Sequence, residues 1–242
     1  MQKNNKYPSS LVTLKLLCQK QNGEHFELPF TIPKNEIFRI KDVVEDRCYE
    51  ISQKYKPRSN SIIVDIGANV GCFALYSKMI NPAATIYCFE PVPATIELLN
   101  KNTTLFTNIH IQPIALSNKS GKGWIDLHPK STGENRLLNN LSRKTAYNNK
   151  IEIQVLNADD AFNNLNIEHI DILKIDTEGS EVQILESIRK RLHDIDYILL
   201  EFHSENDRRL IDTILDNFVL FSCTVHNCGI GLLKYVNKNI IQ

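Results

Sequence analysis

Glycine and proline are scarce in this chain, nine of each in 242 residues, while 42% of its residues are hydrophobic. That excludes a collagen-like, low-complexity or disordered polypeptide, since such chains bury too little apolar surface to fold. Net charge is also missing, with 28 Lys and Arg against 28 Asp and Glu. Proteins that grip nucleic-acid phosphates or anionic bilayers carry a basic excess, so no nucleic-acid partner is expected. No apolar run reaches the roughly 18 residues of a membrane-spanning helix. The stretch 11–18 is short, contains Lys15 and is not followed by a small-residue cleavage site, so it does not read as a signal peptide. No Cys-x-x-Cys pair occurs among the six cysteines. Irregular spacing fits free thiols in a reducing compartment, and a cytoplasmic location is expected. Cys223, His226 and Cys228 offer three metal ligands without a second pair, so packing explains them better than zinc.

What is present is a change of texture along the chain. Runs at 11–18 and 26–32 flank Asn22–Gly23, a strong hairpin-turn signal. Ile37, Ile40, Val44, Cys48, Ile51 and Tyr55 recur at helical spacing and predict an amphipathic helix over 36–54. From residue 61 onward, short buried-type strands alternate with helices: strands at 61–66, 85–89, 109–114, 171–175 and 197–202, helices at 70–80, 94–102, 181–188 and 205–217. Such alternation predicts an α/β fold, a doubly wound and mostly parallel sheet covered on both faces. A closing pair at 218–224 and 230–235, joined near Asn227–Gly229, predicts an antiparallel last strand. Residues 117–157 interrupt the pattern and read as a β insertion with a polar, mobile segment at 133–147. The expected division is an N-terminal hairpin and helix over 1–58, packed on a core domain over 59–242.

Chemistry concentrates at the strand ends. Val64–Gly71 closes a strand and opens a helix, with Gly67 and Gly71 allowing a tight turn and close ligand approach. It lacks the spacing of GxGxxG and of the phosphate-binding P-loop. It also lacks a Lys or Arg to meet phosphate. Asp65 instead sets a carboxylate where an ammonium or sulfonium would be attracted. Glu90, at the end of the next strand, is placed to accept hydrogen bonds from a ribose diol. Pro91 and Pro93 stiffen its turn. The two acids and the loop together point to S-adenosylmethionine.

Three blocks in order, VDIGANVGCFALYSK (64–78), CFEPVPATIELLNKN (88–102) and DILKIDTEGSEVQILES (171–187), resemble the FkbM-type methyltransferases. IQPIALSNKSG (111–121) and ILLEFH (198–203) fit the same pattern. The resemblance covers 61–203 and implies a class I methyltransferase fold, Rossmann-like and seven-stranded. It also implies S-adenosylmethionine as cofactor and mostly oxygen-directed transfer. Carried over by motif, Asp65, Gly67, Ala68, Asn69 and Gly71 line the methionine moiety, Glu90 with Pro91 holds the ribose, and Ala115, Leu116 and Ser117 lie near the adenine.

A methyltransferase must orient an acceptor hydroxyl and take its proton. Asp176, Glu178 and His203 are the candidate catalytic residues, with Asp176 first. A second reading makes Asp176, Glu201 and His203 ligands of Mg²⁺. Plainer roles exist: Ser180 with Gln183 as a capping box, and Ser204 as the next helix cap. Trp124 could stack on a ring substrate, though a lone Trp is more often packed. The expected partner is a hydroxyl-bearing small molecule, a sugar or natural product. A homo-oligomer formed through the hairpin's edge strands is a further expectation. The alternatives are a nicotinamide-dependent oxidoreductase and an inactive cofactor-binding subunit.

Overall fold

The computed structural model describes residues 10–19, 25–51, 58–138 and 149–241. Strands β1 (Leu11–Gln19) and β2 (His25–Pro33) pair antiparallel from Leu11↔Pro33 to Gln19↔His25. The Asn22–Gly23 turn lies outside the described residues. Alternation puts Cys18, Leu28, Phe30 and Ile32 on one face, buried against Val70, Cys72, Leu75 and Leu98. Asn102 fastens this hairpin to the core. Its amide accepts from Thr31 N (2.8 Å) and donates to Thr31 O (2.9 Å) and Val70 O (2.8 Å).

The expected helix over 36–54 is not formed as one element. A 3-10 turn (Lys34–Glu36), one α turn, α1 (Phe38–Ile40), and a π turn (Lys41–Glu45) follow each other, and Arg47 then turns left-handed at φ 52°. Residues 52–54 lie outside the described residues. Ile40, Val44, Cys48 and Ile51 still pack inward while Ile37 is exposed, because tertiary contacts rather than helix propensity set their direction. Ile40 joins the hairpin cluster, while Val44 and Cys48 pack against core clusters. Unwinding delivers Tyr49 to Phe73, with ring centroids 5.2 Å apart.

The central sheet uses β3 (Ile62–Ile66), β4 (Thr85–Phe89) and β5 (Ile109–Gln112), separated by α2 (Cys72–Ile80) and α3 (Pro93–Thr103). A second set of strands, β6 (Ala115–Ser117), β7 (Gly121–Asp126), β8 (Arg136–Leu137) and β9 (Lys150–Asn157), forms a small sheet in the order β6-β9-β7-β8. The chain returns through α4 (Ala158–Asn164), β10 (Ile170–Ile175), α5 (Glu181–Ser187), β11 (Ile195–Phe202), α6 (Glu205–Ile214), β12 (Phe218–Asn227), β13 (Ile230–Asn237) and α7 (Lys238–Ile241). The seven-stranded order is β12-β13-β11-β10-β3-β4-β5, and β13 runs antiparallel to both neighbours. Period-2 alternation divides the strands between two cores: Val64, Leu173 and Leu200 face α4, α5 and α6, while Ile63, Ile172 and Leu199 face α2 and α3. Helix α4 has no counterpart among the expected elements. Its start signal is present, since Asn157 accepts from the backbone N–H groups of Asp159 and Asp160.

Of the segment expected to be mobile, 139–148 lies outside the described residues. Residues 133–138 are a turn and β8, docked on the core rather than loose. The expected Ser180–Gln183 capping box is also absent. Glu181 does that work, its Oε1 accepting from Thr177 N (3.0 Å), Gly179 N (3.1 Å) and Thr177 Oγ1 (3.0 Å). Ser204 does cap α6, accepting from Asp207 N.

The deepest charge sits between the two middle strands. Lys174 and Asp65 are register partners on β10 and β3, and Lys174 Nζ lies 3.0 Å from Asp65 Oδ1, an ion pair rather than an aligned hydrogen bond. Burial alone would lower the Lys174 pKa, but Asp65 and Asp176 outweigh it and hold the ammonium above its usual range. Removing one partner strands the other charge in the core, whereas removing both does not. Lys174→Met should therefore cost about 3–5 kcal/mol of stability in urea unfolding, and adding Asp65→Asn should restore part of it.

Candidate active site

The carboxyl ends of β3, β4, β10 and β11 open into two adjoining cavities, where an open α/β sheet binds its ligands. The first is a narrow slot with a largely apolar lining. Its walls include Phe89, Ile114, Leu116 and Leu137, with Glu90 among them. The second is wider and holds Tyr49, Phe73, Arg39, Arg136, Glu201 and His203. Gly67, Asn69, Asp176 and Glu178 belong to both and form the junction.

Local sequence explains the junction. After β3 the chain turns at Gly67 (φ 77°), and a Cβ there would overlap the Asp176 carbonyl. Gly67 N and Ala68 N both donate to Phe89 O, at 3.0 and 3.1 Å, which ties the loop to the end of β4. Asn69 adopts φ 48°, a conformation Asn tolerates. Its N–H donates to Glu90 Oε2 (3.0 Å), and Val92 N donates to Glu90 Oε1 (3.0 Å). Burial pushes the Glu90 carboxyl up to about 7 against the pull of these two bonds. Each oxygen retains a lone pair for a further donor. A carboxylate at the rim of an apolar slot fits the ribose and base of S-adenosylmethionine, so the donor set suits that cofactor.

The expected cofactor residues divide. Gly67, Asn69, Glu90, Pro91, Ala115 and Leu116 line the first cavity, and Gly67, Ala68 and Asn69 line the second. Asp65, Gly71 and Ser117 line neither. Asp65 is fully buried and faces Lys174, so the cation beside it comes from the chain itself. Gly71 caps α2 at φ 95°, where a Cβ would press on Leu99. Trp124 is half-buried and also lines neither cavity.

The catalytic candidates do converge. His203 Nε2 lies 3.5 Å from Glu178 Oε2 and 4.0 Å from Glu201 Oε2, and its Nδ1 lies 3.3 Å from Glu181 Oε1. Burial opposes the imidazolium, but Glu181, Glu178 and Asp176 overcome it and push His203 up to about 9. That shift favours the imidazolium, which donates hydrogen bonds rather than accepting them. Asp176, Glu178 and His203 lie close enough to suggest an ion site. Yet Arg136 stands 3.9 Å from Glu178 and Lys174 3.8 Å from Asp176, so protein cations already face these oxygens. The set does not fit Mg²⁺. Glu178 holds a left-handed backbone at φ 57°, a strained conformation for a residue of its kind. Burial pushes the carboxyls of Glu178 and Glu201 each up to about 7. Tyr49 OH donates to Glu201 Oε1 at 3.2 Å and orients it.

Several participants were not among the expected residues. Lys174 was detectable, since a charge inside the run Ile172–Ile175 of a buried strand needs a partner. Its Nζ also donates to Gly67 O at 2.7 Å. Tyr49, Glu181, Arg39 and Thr132 carry no local signal. Tyr49 and Thr132 lie in loops, Arg39 in the single turn α1 and Glu181 at the start of α5, and only tertiary packing brings them together.

The profile of the Methyltransferase FkbM domain matches residues 65–229. Hexuronic acid methyltransferase AglP of Haloferax volcanii is 22% identical over 187 residues, 77% of this chain and 74% of its own length. The 31-O-demethyl-FK506 methyltransferase FkbM of Streptomyces tacrolimicus is 25% identical over 177 residues, 62% and 68% of the two chains. Among solved structures, fibrillarin of Aeropyrum pernix with bound S-adenosyl-L-methionine superposes with a TM-score of 0.53 at 14% identity, covering 92% of this chain and 82% of the other. That likeness concerns the fold, which is the class I methyltransferase sheet. The profile spans most of the chain and sets aside a nicotinamide-dependent oxidoreductase. The chain belongs to the FkbM family of S-adenosylmethionine-dependent methyltransferases.

Proposed function

We propose that this enzyme transfers a methyl group to a hydroxyl of a small molecule, a sugar or natural product, held in the wider cavity while the cofactor occupies the narrower one. The observation that carries this reading is the junction itself: two cavities share Gly67, Asn69, Asp176 and Glu178. A methyl donor on one side and an acceptor on the other would meet there. The names of the two relatives support a hydroxyl acceptor: one acts on a hexuronic acid, the other on an O-demethyl natural product.

When bound, S-adenosylmethionine supplies a sulfonium methyl already activated for in-line displacement. Glu178 accepts the acceptor's hydroxyl proton, because a base with a pKa near the working pH serves both proton uptake and driving force. His203 and Arg136 face its oxygens and stabilise the ionised form before the proton arrives. Asp176, on the other side of the junction, accepts a hydrogen bond from the acceptor and orients it. Glu201, held by Tyr49, extends the polar rim that a polyhydroxyl acceptor requires.

Two measurements test these assignments. Glu90→Ala should weaken S-adenosylhomocysteine binding about 10- to 100-fold in calorimetry, from loss of bonds to a charged acceptor. In the parent, donors from the ribose favour the carboxylate, so affinity should climb as pH rises through about 7 and level off above it. A flat pH profile would remove the ribose role. For the chemistry, labelled cofactor should be screened against sugars and hydroxylated natural products. On the acceptor found, Glu178→Gln should lower kcat about 10²- to 10⁴-fold with cofactor affinity retained. Label passing only to amines, or an undiminished kcat, would defeat the reading.

A further inference from the structure

Part of the wall of the cofactor cavity is not built by the core motifs. It is the turn around Thr132 and Gly133, contributed by the insertion. Nothing in that turn is anchored by regular secondary structure, yet it is held at several points, all on one N-terminal turn. Glu36 is fully buried. Its Oε1 accepts from Thr132 N at 2.5 Å and its Oε2 accepts from Thr132 Oγ1 at 2.8 Å. Arg39 Nε braces the same carboxylate at 3.2 Å. Gly133 lies flat on the Arg39 guanidinium, where any Cβ would collide with it. Asn35 Nδ2 donates to Lys130 O just before the turn.

The contact continues to the ribose carboxylate. Thr132 Oγ1 is also 3.0 Å from Asn69 Oδ1, so its single proton is shared between Glu36 and Asn69, and Asn69 N–H donates to Glu90 Oε2. Asn69 Oδ1 is already engaged by Val70 N at 2.7 Å, so the side chain cannot turn away without breaking a bond. One chain of contacts therefore runs Glu36, Thr132, Asn69, Glu90. A buried carboxylate with two donors from one residue holds that residue far more firmly than surface contacts do.

We infer that Glu36 is a positioning residue of the cofactor site: it clamps Thr132 and Gly133 as the outer wall and, through Asn69, holds Glu90 toward the ribose. Glu36 precedes the region 65–229 on which family membership rests. The N-terminal module is thus part of the cofactor site rather than a passive appendage. The inference depends on the narrower cavity being the cofactor cavity.

The test uses the full chain and S-adenosylhomocysteine. Glu36→Gln keeps the shape but removes the negative charge that Arg39 and both Thr132 donors face. Thr132→Val removes the hydroxyl and keeps the backbone bond. Each variant is compared with the parent and with Glu90→Ala by calorimetry and by the rise in Tm at saturating ligand. Glu36→Gln should raise Kd about tenfold, and the double variant should lose clearly less than the sum of the singles, since both act through one contact, whereas full additivity would count against it. The ligand-induced rise in Tm should shrink in step, which a general loss of fold stability would not produce. Should Glu36→Gln fail to fold, Thr132→Val alone decides, with a Kd several-fold above the parent expected. If Glu90→Ala weakens binding while the folded variants stay within about twofold of the parent, the positioning role is wrong. If Glu90→Ala itself binds normally, the cofactor-cavity reading fails and this inference falls with it.

Discussion

The ammonium of Lys174 is the point on which both halves of the cleft rest. It lies between β3 and β10, 3.0 Å from Asp65 and 3.8 Å from Asp176, and it donates to the Gly67 carbonyl at 2.7 Å. The Tyr49 ring centroid is 6.0 Å away, within reach of a cation–π contact. A single buried cation thus holds the glycine turn that shapes one cavity, the strand end that supplies Asp176, and the aromatic wall of the other. Such a group is costly to desolvate, and its partners must stay in place to hold it ionised. That requirement explains why the first acid of the glycine loop is turned inward rather than toward a ligand.

Around this centre the protein concentrates opposite charges that the overall balance of 28 against 28 conceals. Asp176, Glu178 and Glu201 gather at one rim, interleaved with His203, Arg136 and Lys174. Burial pushes Glu178 and Glu201 up to about 7, while it fails to neutralise His203 because Glu181 stands behind it. Acids and cations interleaved in one cleft keep its net field small. A neutral, hydroxyl-rich acceptor is compatible with that balance.

The parts legible in the sequence are those governed by nearest neighbours along the chain. The alternation of buried strands and helices, the glycine turn at Gly67, the acid at Glu90 and the grouping of Asp176, Glu178 and His203 at strand ends all follow from period and position. Strand residues two apart share a face, so Glu201 and His203 enter one cavity as their spacing implies. What failed did so for identifiable reasons. The 36–54 periodicity describes which residues are buried, and a kinked 3-10, α and π path buries them as well as a helix would. His203 was legible as a strand-end group, but its surroundings were not. Its actual charge depends on Glu181, whose approach is set by the turn before α5.

The sequence by itself determined the family, the order of strands and the identity of the groups that end them, because hydrophobic period and motif spacing are local properties. Tertiary structure alone decided which acid meets a ligand and which meets Lys174, and which carboxyl is raised and which imidazole stays protonated. It also brought Glu36, far from Thr132 in the chain, against the turn that lines the narrower cavity. Those outcomes turn on burial and on charges a few ångströms apart, and both are set by how distant segments pack.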